Sequence, residues 1–572
     1  MVSSRYILLH YSLKGGGRQA RETEFNAMRR DQYHIASVYT RFLQEGNMDK
    51  NTLALAIALL SGSVLVGCNG SSNNNPVTDT PPTADDDGND GNNSDSGILV
   101  FAASDSGGSV VQPRGVTALA AAPSEFLYKT DGTPDGTIKI VDDNGNGFEV
   151  GRFGSGYMAE LDGTFYFAGK DSNGDVELWA TDGTGAGTER VADIYPNGNG
   201  QPHNMVPAAG KLFMNAVVDG FGRELVVYDP VSGNKQVLSS NINGSPTSNT
   251  SPTSLTSVDD GLFFFDRAAG DIYFTDGTLA GTAKIATNND TTNDPNSSLA
   301  KYPELIEDGD WLGYNGKLLF TGRFNVLDAE TRLYELDRNG VIKEISFDDG
   351  GNTVRLDITQ NVVASNGKVY FVADSTAGLH IFEYDGSTVT NLTTREGSRP
   401  YQQNLTGTSL GVFMPVERRD SGVDPYLFYV GNTGGSTGIG GALRGPTGRA
   451  NSFSLAFNLV DVDGTVFFTA TAEGSGGADF GIELWKTDGN NPGTQLVKDI
   501  NDQTAGADSV PSPLIPIAYQ VPPTVTGSLE GKYFFFANDG SQGFEPWVSD
   551  GTEQGTILLK DINPGAASSL FD

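Results

Sequence analysis

Cysteine is almost absent from this chain. Its 572 residues hold one, Cys68, so no disulfide can form within the chain and no cluster of thiolates can bind zinc or an iron–sulfur centre. Histidine is nearly as scarce. Of four, only His203 and His380 lie beyond position 68, and neither has a second histidine or cysteine at a ligand spacing, which argues against zinc and haem sites. Positive charge is sparse, with 37 Lys and Arg against 71 Asp and Glu and a net of −34. That balance opposes nucleic acid and anionic lipid and favours solubility and cation association. No apolar run reaches the roughly twenty residues of a comfortable membrane span.

What is present is a phrase that recurs. Glu177-Leu178-Trp179-Ala180-Thr181-Asp182-Gly183-Thr184 continues to Gly187-Thr188 and Val191-Ala192-Asp193-Ile194. Glu483-Leu484-Trp485-Lys486-Thr487-Asp488-Gly489 and Glu545-Pro546-Trp547-Val548-Ser549-Asp550-Gly551-Thr552 continue in the same way, to Ile500 and Ile562. Weaker copies lie at 126–133 and 272–278. The aromatic and β-branched residues favour a packed strand, and Asp-Gly supplies the tolerance of positive φ that a tight reversal needs. Before each phrase stands a second apolar run, such as Thr164-Phe165-Tyr166-Phe167, Gly261-Leu262-Phe263-Phe264-Phe265 or Lys532-Tyr533-Phe534-Phe535-Phe536. These are apolar at consecutive positions, so both faces are expected to be buried between neighbouring sheets. A short apolar segment ahead of these, for instance Ser254-Leu255-Thr256-Ser257-Val258, makes about four strands per unit at a spacing near fifty residues, the signature of propeller blades. The reading is an all-β chain, with a β-propeller of about eight or nine four-stranded blades over 98–572. The last segment is expected to complete the first blade and remove two exposed edges.

The phrase resembles the repeat of the bacterial ELWxxDGT-repeat lipoprotein family, strongly in three units and loosely elsewhere over about 125–572. The resemblance implies secreted or surface proteins with propeller-like repeats and no established activity.

The start of the chain speaks to location. Met48-Asp49-Lys50-Asn51 is followed by an apolar stretch of about fifteen residues ending in Leu65-Val66-Gly67-Cys68, the layout of a secretory signal. The last four residues resemble the lipobox of bacterial lipoproteins. By that resemblance 48–67 is a signal peptide, Cys68 is acylated and becomes the first mature residue, and Asn69 rather than Asp favours the outer membrane, at the cell surface or the periplasmic face. Residues 1–47 read as an upstream extension from a misplaced start, with a genuine leader as the alternative. Residues 68–97 are rich in Asn, Asp, Gly and Ser, too poor in apolar side chains to offset ordering entropy, and read as a disordered, flexible tether.

Chemistry is thinly signalled. Asp142, Asn144 and Asn146, and likewise Asp171, Asn173 and Asp175, place oxygens at alternate positions before or around a glycine, a spacing that can wrap Ca²⁺ and equally builds a plain polar turn. Trp179, Trp485 and Trp547 are equivalent and read as packing between blades, with sugar-stacking platforms as the alternative. The Asp of each Asp-Gly reads as a turn residue rather than a catalyst. Arg418, Arg419, Arg444 and Arg449 form a local basic cluster in an acidic chain, within one of two irregular stretches, 285–316 and 396–452, where binding loops are expected. The leading function is a lipid-anchored binding or scaffolding module for a protein or glycan partner, rather than an enzyme. The alternatives are a polysaccharide-active hydrolase or lyase working at the propeller channel, and a periplasmic envelope-assembly lipoprotein.

Overall fold

A computed structural model describes residues 97–105, 124–151, 156–239, 250–286, 310–322, 331–392, 398–418, 426–431, 454–513 and 529–570, apart from 197, 269, 355, 359–361, 376–377, 401–404, 474–478 and 491–492. Every long element among them is a β-strand. The expectations for 1–47, 48–67, Cys68 and nearly all of the 68–97 tether lie outside the described residues, as do Arg419, Arg444 and Arg449.

The building block is an antiparallel meander of four strands. His203–Ala208, Lys211–Val218, Gly222–Asp229 and Asn234–Val237 pair in sequence order, and so do Thr253–Val258, Gly261–Asp266, Asp271–Thr275 and Ala283–Ala286. The middle two strands carry the core. Gly261–Asp266 and Asp271–Thr275 are buried at every position, because each face of the sheet meets another sheet. The fourth strand is short and mostly solvated, as at Asn234–Val237, which leaves little edge for another chain to pair with. The first strands, Met158–Leu161, His203–Ala208, Thr253–Val258 and Trp311–Tyr314, lie beside one another in succession. Their closeness depends on glycine at two positions. A Cβ on Gly313 would sit 2.0 Å from the Ser257 carbonyl, and one on Gly407 would sit 2.3 Å from the Ala364 carbonyl.

Each sheet packs on the next. Phe213 and Leu225 meet Leu262, Phe264 and Tyr273 of the following sheet. Phe263, Phe265 and Phe274 in turn meet Trp311, Leu318 and Phe320, and Leu319 and Leu333 meet Phe371, Phe382 and Tyr384. Val372 and Ile381 pack on Val412 and Met414, Phe413 and Leu427 on Phe468 and Trp485, and Phe467 and Leu484 on Tyr533, Phe535 and Trp547. The cycle closes through the first strands: Phe534, Phe536 and Val548 pack on Leu99, Phe101 and Ala103, and Val100 and Leu127 share one cluster with Phe167 and Leu178 and, beyond them, Leu212 and Val226. Phe101 and Phe536 meet edge to face at 6.4 Å, and the Ser104 N–H donates to the Ser569 carbonyl at 3.0 Å. Sheets stacked in a closed cycle make a β-propeller. Closure runs through the chain ends, as the repeat pattern implies.

Two expectations need correction. The stretch 396–452 is less irregular than its sequence: Ser398–Pro400, Thr406–Thr408, Gly411–Arg418 and Tyr426–Gly431 form a four-stranded sheet within it. The sequence disguises it because the unit has lost the Asp-Gly phrase and opens a core strand on Gly411, at φ +139° beneath the Val430 carbonyl. Likewise 285–316 ends in a regular first strand, Trp311–Tyr314, and Trp311 is core, packed on Phe265 and Phe320. One addition lacks a repeat counterpart. The hairpin Phe347–Asp349 and Asn352–Val354 sits after a fourth strand, held by Phe347 on Phe382 at 5.4 Å.

Candidate functional site

The recurring phrase resolves into two devices, a clip and a staple. The clip is the turn between third and fourth strands, present at 130–137, 181–188, 275–282, 487–494 and 549–556. In the first of these the Gly132 N–H donates to the Thr130 hydroxyl at 3.0 Å. The Thr130 and Thr137 hydroxyls lie 2.8 Å apart, and the Thr137 hydroxyl donates to the Thr133 carbonyl at 2.7 Å. Asp131 closes the turn by accepting the Thr133 N–H and hydroxyl. The same bonds recur around Asp182, Asp276 and Asp550, and around Asp488 with Asn490 in place of the second Thr. The glycine after Asp holds φ of +83° to +87° in all five, a conformation that excludes β-branched and bulky residues. The later glycine is required for another reason: a Cβ at Gly136, Gly187, Gly281, Gly493 or Gly555 would lie 1.9–2.2 Å from the Asp side chain. Replacing Gly555 by Ala therefore expels Asp550 from its turn. The expected loss is about 2–3 kcal/mol, from several hydrogen bonds broken together, measured as a lower denaturation midpoint of the full chain.

The clip also joins blades. The space around Gly132 is filled by Leu529 and Lys532 of the preceding sheet, that around Gly277 by Lys211 and Phe213, and that around Gly489 by Tyr429. The turn carboxylates of Asp182, Asp276 and Asp550 are pulled below the ordinary range, first by the neighbouring Thr hydroxyl, so they are charged and fully engaged.

The staple is the motif Glu. Its side chain turns inward and accepts the backbone N–H of the Ile that ends the phrase, always seventeen residues on: Ile194 to Glu177 at 2.6 Å, Ile500 to Glu483 at 2.9 Å and Ile562 to Glu545 at 2.9 Å. The other oxygen takes an N–H from the segment leading to the next blade, from Gly200, Ser509 or Asn563. Glu224 does the same work through the Ser239 and Thr250 hydroxyls. Burial raises all four carboxyls, Glu545 to about 7 and Glu483 to about 8. The sequence reading overlooked these glutamates. The constant Glu-to-Ile interval in three copies was the available signal. In other blades the staple position, fixed by strand register, holds Asp271, Arg332 or His380.

The remaining candidates are placed separately. His203, in a first strand, lies 3.0 Å from the Gln201 carbonyl and carries the Arg223 guanidinium against its ring; burial holds it below the ordinary histidine range and therefore neutral. His380 is buried in a different sheet. The two are not brought together. Asp142 accepts the N–H groups of Asn144 and Asn146 and the Asn146 amide; Asp171 accepts the N–H groups of Asn173 and Asp175. Both segments are thus hydrogen-bonded turns, and among the described residues no group of three or more His, Cys, Asp and Glu converges as a metal site. Arg418 ends the strand Gly411–Arg418. Trp485 donates to the Ala470 carbonyl at 3.1 Å and is core; Trp547 lies in the cluster between its blade and the one before; Trp179 covers Gly169 beside Phe148 and Phe167.

No protein-family model matches the sequence, and no curated protein matches it. Solved structures are similar at low identity. A prolyl endopeptidase shares 13% identity over 68% of this chain and 53% of its own, with a TM-score of 0.35. Dipeptidyl peptidase 4 of Porphyromonas gingivalis shares 10% over 72% and 59%, with a TM-score of 0.41. The β-propeller domain of the Trilobed protease of Pyrococcus furiosus, of open velcro topology, shares 10% over 64% and 99%, with a TM-score of 0.32. The chain spans about half the length of two of the proteins it matches, the prolyl endopeptidase and a puromycin hydrolase. The likeness is one of fold.

Proposed function

We propose that this chain is an exported, lipid-anchored propeller that serves as a binding or scaffolding module of the cell envelope. One observation carries the reading: the polar residues of the repeated phrase are spent on holding the ring together. Clip carboxylates close turns and staple carboxylates tie blades to their linkers, so the repeat supplies a rigid platform, and recognition is left to the features that differ between blades. Among the described residues the core hairpin recurs nine times, from Leu99–Ala103 with Glu125–Thr130 to Tyr533–Asn538 with Phe544–Ser549, which supports a nine-bladed ring. The anchor is Cys68, acylated after removal of 48–67, in the outer membrane; two or three acyl chains hold far more firmly than one. The partner is a protein or glycan.

The anchor is tested in a bacterial envelope by metabolic labelling with a fatty-acid analogue. The full chain is expected to carry label and to fractionate with membranes, and Cys68→Ser to lose both. Unlabelled Cys68 would overturn the anchor. Protease shaving of intact cells then assigns the face: digestion of the ring means surface display, and resistance means the periplasm.

A further inference from the structure

Five large apolar side chains stand in the open among the described residues: Ile138 at 44% and Val141 at 39%, in and just after the fourth strand of the first blade, and the three most exposed, Val231 at 94%, Val341 at 61% and Leu279 at 49%. These last three share one place, the turn from third to fourth strand, in three consecutive sheets. The corresponding turns elsewhere present Pro134 and Asp135, Ala186, or Glu553 and Gln554 at these tips. The side chains are held outward by rigid backbone. The Val231 N–H donates to Asp229 at 2.9 Å, the Val341 N–H to Asp337 at 2.9 Å, and Leu279 sits in the clip closed by Asp276. Each tip carboxylate thus faces its own turn. Lys235, Lys284, Lys343 and Arg338 lie on the same three outer hairpins, where Arg338 is pinned by Asp260 and lies 4.4 Å over Phe274. Displayed aliphatics contribute nothing to the core, and their repetition on neighbouring blades marks a contact surface.

We infer that this rim rests on a lipid surface, with Val231, Leu279 and Val341 entering the interface. Three points on successive blades define a plane rather than a groove. Aliphatic tips flanked by lysines suit a bilayer better than a protein hot spot, which is rich in Trp, Tyr and Arg. Chain length agrees. About thirty residues part Cys68 from the first strand, a length that reaches no more than on the order of 100 Å even at full extension, so an anchored ring stays near the membrane and the effective concentration of the rim there is raised. The inference rests on the lipid-anchor reading but is tested without it.

The test uses the full chain with Cys68→Ser and flotation with phosphatidylcholine vesicles at high lipid concentration, free of anionic lipid that the acidic chain would repel. Weak but measurable flotation is expected. Adding Val231→Ser, Leu279→Ser and Val341→Ser should reduce the partition coefficient by about tenfold or more, since small aliphatic groups drive interfacial binding. Glu553→Ser, in the equivalent turn of the last blade, should leave it unchanged. Thermal unfolding of each variant confirms folding, which substitutions at exposed tips leave intact. Absence of flotation, or equal flotation of triple variant and parent, overturns the inference. So does a triple variant that changes only self-association in sedimentation, which would assign the rim to a second copy. Failure of fatty-acid labelling at Cys68 is a separate result and bears on the anchor alone.

Discussion

Glu483→Ala is expected to destabilise the ring by about 2–4 kcal/mol, at least as much as any substitution in the exposed clips. Glu483 has no solvent exposure. It accepts the Ile500 N–H, the Ser509 N–H and a short bond from the Ser509 hydroxyl. Truncation leaves the Ile500 N–H without its acceptor in a site closed to solvent, at a cost of about 1–3 kcal/mol, and opens a void there, while the Ser509 N–H and hydroxyl fall back on the Ile482 carbonyl at 3.0 and 3.2 Å. The loss falls where one blade hands the chain to the next, so it is felt at the interface with the Phe535 and Trp547 sheet as well as locally. Glu483→Gln keeps the shape and one acceptor, and is expected to lose about 1–2 kcal/mol. Asp131→Ala, at an exposed clip, should fall near or below that value. Denaturant titration of the three variants, followed by tryptophan fluorescence, gives the order. If Glu483→Ala unfolds at the wild-type midpoint, the carboxyl is not a staple.

How much of this was legible beforehand differs by level. The core strands were plain, because runs such as Leu262 to Phe265 admit only a position between two sheets, and Asp-Gly announced the reversal in the five units that carry the clip. The closed cycle was legible from a first unit that opens on its second strand. The staple was not, because a Glu at the head of an apolar phrase looks like an edge residue, and only the fold shows that the strand faces a returning linker there. The blade at 398–431 was obscured by composition: Gly407 and Gly411 weaken its strand pattern, and both are needed where backbones come within a carbonyl's width. Arg332 and His380 open runs that keep the apolar pattern of the phrase without its Glu or Trp. In register they stand at the place of the motif Glu, so the same position has been refitted blade by blade. The apolar tips were invisible because a lone Val or Leu beside a turn has no period; they become a pattern only when three blades are set side by side.

Stability is expected to fall as the pH rises from about 5 to 9, opposite to the behaviour of a protein held by surface ion pairs. The sign follows from the staples. Burial lifts Glu483 to about 8, Glu545 to about 7 and the partly enclosed Asp310 to about 6, and raises Glu177 and Glu224 as well. A carboxyl raised on folding binds its proton more tightly in the native state. Its contribution is complete below the unfolded value near 4.5 and is lost as the pH passes through the folded one. At Glu483 the neutral form has a place to put its proton. The carboxyl O–H can donate to the Ser509 hydroxyl, which donates on to the Ile482 carbonyl at 3.2 Å. Ionisation removes that relay and leaves a charge in a site closed to solvent. Each tenfold gain in proton affinity on folding is worth about 1.4 kcal/mol, so Glu483 alone accounts for no more than about 4–5 kcal/mol. The clip carboxylates act the other way, being held below the ordinary range on folding by their turn hydrogen bonds, but they are exposed, so they weaken the fold only in acid and by little. Growing self-repulsion in a chain of net charge −34 adds to the alkaline loss. Unfolding midpoints taken from pH 4 to 9 should therefore peak near pH 5 and decline above it, and Glu483→Gln should flatten the decline between about 5 and 8. A midpoint that climbs steadily to pH 8, or an unchanged slope in Glu483→Gln, would mean that the staples are ionised and held by their donors instead.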